Sequence, residues 1–340
     1  MKIAIIGGGF CGAYVAKKLQ KVAEITLFDK REYFEYTPAI TKVLIEPDYV
    51  DKIRIPYSTL LKKVNVVTTP ITNVTPTFVQ AGKKYHFDYA VICTGFSYPI
   101  FMENKEKVYT VTTGDIAATI AREEKETILV IGGGMIGIEA IAEFAMKTKK
   151  QIHVVDPMNR LIARSPEKAA KYAKELLEKK GVIFYLEEKT VEHTGKRFKT
   201  DKGTVIEADI ALWCAGIKRD ASFMKGFENI LEPDGSLKTN KNLQLEGYPN
   251  IFVGGDISGI KEEKIAQNAE LHATVIIENI KRLQDKKPLK DYSSAPRIIV
   301  ISLGDWKGII TYKNFVWTGF IPAMLKMIVE KFVMVKYKYF

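Results

Sequence analysis

The sequence contains few of the residues that build disulfide frameworks or metal sites. Its 340 residues include only three cysteines and four histidines. Cys11, Cys93 and Cys214 show no C-x-x-C spacing, and the scattered histidines show no zinc-ligand pattern. This scarcity excludes a disulfide-stapled secreted scaffold, and we expect no metal site.

Long apolar runs are missing as well. No stretch reaches the roughly 18 uncharged apolar residues of a membrane-spanning helix. The first residues, MKIAIIGGG, pass from a short apolar run straight into glycines, without the long apolar region of a signal peptide. We therefore expect neither a spanning helix nor a signal peptide.

Acidic residues are outnumbered by basic ones. The chain has 51 Lys and Arg against 40 Asp and Glu, a net charge of +11. This excess favours an anionic partner surface, unless the lysines only solvate the protein. No nucleic-acid recognition motif is present, so we expect no nucleic-acid partner. The length fits two domains at roughly 150 residues each.

Two glycine-rich loops are the most informative motifs. Each follows a short apolar run typical of a buried strand (KIAII at 2–6, TILVI at 127–131) and precedes a helical pattern. The loops GGGFCG and GGGMIG both fit G-x-G-x-x-G, through Gly7, Gly9 and Gly12 and through Gly132, Gly134 and Gly137. In this motif the glycines allow a tight turn, approach to a pyrophosphate and close helix–strand packing.

An acidic residue ends the second strand after each loop. Asp29 and Asp156 stand where a carboxylate can hold ribose hydroxyls. Two complete fingerprints predict two bound dinucleotides, and a nicotinamide beside a flavin is the pair that hydride transfer needs. Asp156 favours NADH over NADPH because its charge repels a 2′-phosphate, although Arg160 and Arg164 follow closely.

The repeated pattern predicts an α/β fold with two Rossmann-like dinucleotide-binding domains, the second inserted in the first. We place the first domain at 1–112 and 236–292, the second at 113–235, and a C-terminal segment at 293–340. That last segment should form a short hairpin and an amphipathic helix.

The order GGGFCG, FDK, ICTGF, GGGMIGIE, VVDP, WCAG and FVGGD resembles the two-dinucleotide-binding-domain flavoproteins over nearly the whole chain. In that family the first fingerprint binds FAD and the inserted one binds NAD(P)H. The resemblance implies FAD contacts at Gly7, Gly9, Phe10, Gly12, Asp29, Lys30, Thr94, Gly95, Gly255 and Asp256. It implies NAD(P)H contacts at Gly132, Gly134, Gly137, Glu143, Asp156 and Gly216, with Glu139 as a catalytic residue that reaches the nicotinamide carboxamide.

The segment REYFEYTPAITKVLIEP at 31–47 bears on the electron acceptor, because it lacks the cysteines that disulfide reductases and peroxidases of this family need. It resembles the F-x-P-L-L segment of type II NADH dehydrogenases and of apoptosis-inducing-factor-like quinone reductases. That resemblance implies FAD contacts at Pro38, Lys42 and Ile71. KIAQNAELHA at 264–273 resembles their A-Q-x-x-x-Q quinone motif, with Gln267 as a catalytic residue but Leu271 in place of the second glutamine.

The last 22 residues carry an apolar stripe with lysines beside it. Ile321, Leu325, Ile328 and Phe332 recur at helical spacing. Such a stripe with cationic edges is typical of a helix lying in an anionic membrane interface. A helix buried against the body or in a dimer seam is the alternative, so homodimerisation stays open.

Together these features predict an FAD-dependent NAD(P)H:quinone oxidoreductase that prefers NADH and pumps no protons. Its expected partners are a quinone and an anionic membrane surface, and its expected place is the cytoplasmic face of the membrane. One alternative is a soluble reductase of a small iron–sulfur or rubredoxin-like carrier. Another, from a different class, is an interaction protein that senses NADH with slow turnover.

Overall fold

The computed structural model describes residues 1–227 and 229–339. In chain order the strands are β1 Lys2–Ile6, β2 Glu24–Phe28, β3 Tyr33–Glu35, β4 Arg54–Pro56, β5 Val64–Val67, β6 Asn73–Val74, β7 Phe78–Ala81, β8 Lys83–His86, β9 Tyr89–Ile92, β10 Val108–Thr110, β11 Thr127–Ile131, β12 Gln151–Asp156, β13 Ile183–Leu186, β14 Thr190–Thr194, β15 Arg197–Thr200, β16 Val205–Glu207, β17 Ile210–Trp213, β18 Gln244–Leu245, β19 Tyr248–Val253, β20 Ile299–Ser302, β21 Gly308–Tyr312 and β22 Phe315–Gly319. The α-helices are α1 Phe10–Leu19, α2 Tyr57–Leu60, α3 Gly114–Arg122, α4 Met135–Lys147, α5 Glu167–Glu178, α6 Ala266–Gln284 and α7 Phe320–Tyr339. Three 3₁₀ helices span Thr37–Leu44, Pro47–Ile53 and Gly255–Ile257.

The first large sheet has the strand order β18-β19-β9-β1-β2-β5. Strand β1 lies between β2 and β9, and it pairs with both in parallel. Residues 3–6 of β1 are buried, as expected for a strand that is covered on both faces. The carboxyl end of β1 therefore leads into the first glycine loop at the middle of the sheet, the usual ligand position in such folds.

The second large sheet repeats this plan with the order β10-β17-β11-β12-β13, and all its strands are parallel. Strand β11 takes the place of β1, so the second glycine loop also leaves the middle of its sheet. The chain returns to the first sheet through β18 and β19. The predicted α/β fold with one Rossmann-like unit inserted in another is thereby confirmed.

The exact domain bounds stay a prediction. Strand β10 pairs with β17, so sheet membership puts residues 108–110 with the second unit, whereas the predicted boundary put them with the first. A small antiparallel sheet accompanies each unit, β6-β7-β8 in the first and β14-β15-β16 in the second.

The C-terminal segment begins with three antiparallel strands, β20, β21 and β22, rather than the expected two-stranded hairpin. Helix α7 follows directly and packs against β20 and β21. Among the described residues no helix is long and apolar enough to cross a membrane.

Candidate functional site

The first glycine loop is shaped by two close backbone approaches and one open position. Gly7 has a φ of +96°, and a Cβ there would lie 2.4 Å from the carbonyl oxygen of Cys93. A Cβ at Gly12 would lie 1.9 Å from the carbonyl oxygen of Gly7, whereas a Cβ at Gly9 would meet no atom within 4 Å. Gly7 and Gly12 are thus needed for packing, and Gly9 leaves the backbone free to approach a ligand, as a pyrophosphate cradle requires.

The second loop has the same construction. Gly132 has a φ of +106° and approaches the backbone of Cys214, and a Cβ at Gly137 would lie 1.9 Å from the carbonyl oxygen of Gly132. A Cβ at Gly134 would again meet nothing within 4 Å. Helices α1 and α4 start one residue after the open glycines, so their free N–H groups and positive dipole ends face the two cradles.

The two acidic residues clamp their own loops. Asp29 accepts hydrogen bonds from the backbone N–H of Gly8 at 2.6 Å and of Arg31 at 2.9 Å. Asp156 accepts from the N–H of Gly133 at 2.5 Å and of Met158 at 2.7 Å. The Tyr57 hydroxyl and the Arg31 side chain make longer second contacts to Asp29, of 3.4 and 3.5 Å. The G-x-G-x-x-G pattern did not predict these hydrogen bonds between each aspartate and its own loop.

The turns that follow β9 and β17 lie side by side. Gly95 after β9 and Gly216 after β17 both adopt positive φ, +72° and +68°. Just beyond them, Ser97 and Lys218 exchange two backbone hydrogen bonds of 2.8 Å. These mutual bonds join the two connections between the sheets, and they bring the predicted cofactor residues Thr94, Gly95 and Gly216 to one region.

Asp256 lies in the 3₁₀ turn between β19 and α6, as a ribityl-binding carboxylate would. Burial raises the pKa of Asp256, although Lys264 and Arg219 act in the opposite direction. The turn is held from outside by Arg219, whose Nε donates to the carbonyl oxygen of Asp256 at 2.7 Å. Gly255 in the same turn has a φ of +71°.

The other predicted FAD contacts lie in different local environments. Phe10 opens α1, and its ring meets the ring of Phe34 edge to face with 5.2 Å between centroids. Pro38 opens the 3₁₀ helix Thr37–Leu44. Ile71 packs, partly buried, against the hydrophobic cluster on one face of the first sheet, and Lys30 is exposed.

Lys42 has partners within the protein. Its Nζ lies 2.7 Å from Oε2 of Glu330 on α7 and 3.3 Å from the Tyr49 hydroxyl. Burial would lower the pKa of Lys42, but Glu330 raises it above its ordinary value. The ammonium therefore stays charged and ties the predicted FAD segment to the C-terminal helix.

Glu139 and Glu143 are buried on the inner face of α4. Oε1 of Glu139 accepts from the N–H of Ser302 at 2.9 Å and from Nζ of Lys326 at 3.0 Å. Burial raises the pKa of Glu143, against the opposing effect of Lys147, whose Nζ is 3.1 Å from Oε2. Glu139 thus contacts the C-terminal segment directly, whereas Glu143 pairs with a lysine of its own helix.

Gln267 lies at the start of α6 and is exposed. Its Nε2 donates to the carbonyl oxygen of Ile298 at 3.1 Å, in the chain just before β20. Its predicted quinone contact stays a prediction. Five residues on, His272, which the sequence offered only as a candidate neighbour of this motif, is buried at 1% exposure.

Helix α7 buries several polar side chains and exposes several large apolar ones. The inner face carries Glu330 and Tyr337, both buried, and Lys336, which lies 2.6 Å from Glu270. On the outer face Ile328 is 52% and Phe332 67% exposed. The alternative of an apolar stripe buried against the body is wrong. Of the four lysines expected to flank the stripe, Lys331 and Lys338 are exposed, whereas Lys326 and Lys336 form ion pairs with the body.

Comparisons with known proteins agree with this geometry. A family model for pyridine nucleotide-disulphide oxidoreductases matches residues 1–273. Apoptosis-inducing factor homolog A of Dictyostelium discoideum is 31% identical over 360 aligned positions, which cover 96% of this chain and 88% of that protein. A type II NADH:quinone oxidoreductase of Staphylococcus haemolyticus is 25% identical over 381 positions, covering 97% and 94%.

Solved structures of the same fold include NDH2 from Plasmodium falciparum in complex with NADH. It superposes with a TM-score of 0.88 at 15% identity and covers 99% of this chain and 95% of that one. The sulfide:quinone oxidoreductase from Aquifex aeolicus superposes with a TM-score of 0.86 at 18% identity, covering 99% and 91%.

Proposed function

Because this chain belongs to the pyridine nucleotide-disulphide oxidoreductase family, we propose that it uses NAD(P)H to reduce a quinone at a membrane surface. Family membership makes it an oxidoreductase and implies FAD and NAD(P)H as its cofactors. The acceptor is our inference. The relative from Staphylococcus haemolyticus is a type II NADH:quinone oxidoreductase, which supports a quinone here.

The two glycine loops fit a pair of dinucleotides, because Gly9 and Gly134 leave open space exactly where each backbone must approach a pyrophosphate. When bound, FAD supplies two-electron chemistry between a nicotinamide and a quinone. The protein holds and orients the two cofactors. The first loop, the turn at 94–95 and Asp256 would hold FAD, and the second loop with Gly216 would hold NAD(P)H. Glu139 is the carboxylate proposed to reach the nicotinamide carboxamide.

Cys11 and Cys214 are poorly suited to relay electrons. Burial raises the pKa of Cys214 to about 12 and raises that of Cys11 well above its ordinary value. Both therefore remain protonated at neutral pH, whereas the thiolate is the reactive form. Since the segment 31–47 has no cysteine, direct reduction of the acceptor is the simplest reading.

The observation that carries the proposal is the two-sided character of α7. Its inner face contacts Glu139 through Lys326 and contacts Lys42 through Glu330, both beside the predicted cofactor sites. Its outer face is apolar and exposed. One helix thickness therefore separates the cofactor region from a surface suited to lipid, which is the arrangement a quinone dissolved in a bilayer needs.

Large aromatic side chains are exposed elsewhere in the C-terminal segment, in the connection before β21, in β22 and at the start of α7. Trp306 is 66%, Phe315 59% and Phe320 48% exposed. Large aromatic side chains of this kind suit the headgroup level of a bilayer, and the basic net charge favours anionic lipid. We place the protein on the cytoplasmic face of the membrane, because that is where NADH is available.

We infer a preference for NADH over NADPH. The Asp156 carboxylate stands where a 2′-phosphate would sit, and the nearby arginines have other partners. Arg160 donates to the carbonyl oxygen of Ala163 at 2.8 Å, and Arg164 lies 3.8 Å from Glu263. We therefore rest the preference on the charge of Asp156.

A steady-state assay tests the acceptor. The purified FAD-loaded protein should oxidise NADH with a short-chain quinone well above the oxygen background, and vesicles should accelerate the reaction with a long-chain quinone. A matched variant, Gly134→Val, fills the open cradle position and should abolish NADH oxidation while FAD stays bound. Rates equal to background with every quinone, or faster reduction of an iron–sulfur carrier than of any quinone, would reject the proposal.

A further inference from the structure

A buried chain of polar groups lies beneath the turn that carries Asp256. The backbone N–H of Gly255 donates to Nδ1 of His272 at 3.0 Å. Nε2 of His272 lies 2.8 Å from Oε1 of Glu262, and the Tyr292 hydroxyl donates to Oε2 of the same carboxylate at 2.7 Å. The side chains of His272 and Glu262 are only 1% and 4% exposed.

These contacts select one tautomer of His272. A ring nitrogen that accepts from a backbone amide carries no proton, so the proton of the neutral ring is on Nε2. Glu262 places a negative charge 2.8 Å from that nitrogen, but the two atoms are not aligned for a hydrogen bond, so the Gly255 bond is the contact that fixes the tautomer. The Tyr292 ring packs edge-on against His272 with 4.5 Å between centroids, which holds the imidazole plane in place.

The turn above His272 is tightly confined. A Cβ at Gly254 would lie 2.4 Å from Sγ of Cys11 and 2.9 Å from Cδ1 of Ile276. Cys11 belongs to the first turn of α1, directly after the first glycine loop, and Ile276 belongs to α6. The turn therefore lies between the first glycine loop and α6. Among the contacts described for residues 254–257, the Gly255–His272 hydrogen bond is the one polar contact with α6.

We propose that His272 is a positioning residue for FAD: it holds the Gly254–Ile257 turn in the shape that presents Asp256 to the cofactor. Glu262 and Tyr292 act through it by keeping its Nδ1 free to accept. The proposal uses only the FAD part of the proposed function and makes no demand on the electron acceptor.

Three substitutions separate the two ends of the imidazole. In His272→Asn the amide oxygen stands near the position of Nδ1 and can accept from Gly255. In His272→Gln the longer amide reaches toward Glu262 and leaves Gly255 without its acceptor, and His272→Ala removes both contacts. Thr274→Ala, an exposed position on the same helix, is the matched control.

The readout is the FAD dissociation constant, from flavin fluorescence titration of deflavinated protein. Loss of one buried hydrogen bond corresponds to about tenfold weaker binding, so His272→Ala and His272→Gln should weaken FAD by about that factor or more. His272→Asn should stay near the wild-type value, as should Thr274→Ala. Equal weakening in the Asn and Ala variants, or unchanged binding in all of them, would overturn the proposal.

Tyr292→Phe provides a second route that keeps the ring and its packing. Without the hydroxyl bond to Glu262, FAD binding should weaken by about threefold, a fraction of a full hydrogen bond. Unchanged binding in this variant would exclude Tyr292 from the chain of contacts. A protein that binds FAD in this His272-dependent way but reduces no quinone would leave the inference standing and would reject only the proposed acceptor.

Discussion

Lys326 on α7 donates a hydrogen bond to Oε1 of Glu139 on α4, with 3.0 Å between nitrogen and oxygen. Both side chains are largely buried, at 14% and 7% exposure. The pair therefore fastens the C-terminal helix to the helix that follows the second glycine loop. Removing one partner of such a pair leaves an uncompensated charge, which costs more than the pair itself contributes.

Lys326→Met should therefore lower the free energy of unfolding, by about 3 kcal/mol by the usual cost of breaking a buried pair. The double variant Glu139→Gln with Lys326→Met leaves no buried charge and should recover most of this loss. Urea unfolding of the four proteins of the cycle measures the coupling. Strictly additive effects would show that the two side chains do not interact in solution.

Glu139 also has a proposed catalytic part, which a separate measurement tests. Glu139→Gln keeps an acceptor for Ser302 and nearly the same shape, so FAD content should not change. NADH-driven bleaching of the flavin should slow by about tenfold, the worth of one hydrogen bond to the nicotinamide amide. Glu126→Gln, which changes an exposed carboxylate just before β11 in the same unit, is the matched control, and equal slowing in both would show that the effect is not specific to Glu139.

The preference for NADH over NADPH can be tested at Asp156 in the second glycine loop, with Asp29 in the first loop as the control. Asp156→Asn removes the charge that opposes a 2′-phosphate, so the ratio of kcat/KM for NADH to that for NADPH should fall by about tenfold. Asp29→Asn makes the same change in the first loop, with the same backbone contacts to Gly8 and Arg31. It should weaken FAD and leave the NADH-to-NADPH ratio unchanged, and a shift in that ratio would contradict the assignment of the two loops.

The glycine loops could be predicted because their meaning is local: one residue type at fixed spacing meets one backbone requirement, as Gly7 and Gly132 show. The pairs Lys326–Glu139 and Lys42–Glu330 could not, since 187 and 288 residues separate the partners. Helical spacing revealed the apolar stripe of α7, but periodicity does not say whether a stripe faces protein or solvent. Leu271 and His272 show a further limit of prediction from sequence. Leu271 replaces the second glutamine of the quinone motif, and the motif does not say which contacts the residues at this point make instead.

Acid sensitivity of the second unit should depend on Asp209, just before β17. The hydrogen bond from Lys196 and those from the backbone N–H groups of Thr127 and Glu126 hold the pKa of Asp209 far below its ordinary value. A carboxylate with a lowered folded-state pKa stabilises the protein above its unfolded-state pKa, and that contribution is lost as the pH falls toward the folded-state pKa. Asp209→Asn should therefore cost about 1 kcal/mol at pH 7 and progressively less below pH ~4.

Urea unfolding at pH 7 and at pH 3 checks this prediction. The difference between wild type and Asp209→Asn should shrink at the lower pH. Asp201→Asn, at another acidic position in the same unit whose Oδ1 accepts from the backbone N–H of Lys189 at 2.9 Å, serves for comparison. A difference for Asp209→Asn that grows on acidification would mean that the sign of the shift is wrong.

Membrane binding is best tested on the outer face of α7 and not by removing the helix. Deletion of 319–340 would also remove Lys326 and Glu330, and so would leave Glu139 and Lys42 without their partners.

Ile328→Glu with Phe332→Glu changes only exposed side chains. This double variant should no longer sediment with anionic vesicles, because it replaces buried apolar contact by like-charge repulsion. It should still oxidise NADH with a soluble short-chain quinone at the wild-type rate. Val191→Glu, which is 57% exposed on β14, is the matched control and should sediment like the wild type. Undiminished vesicle binding by the α7 variant would place the membrane contact elsewhere on the protein.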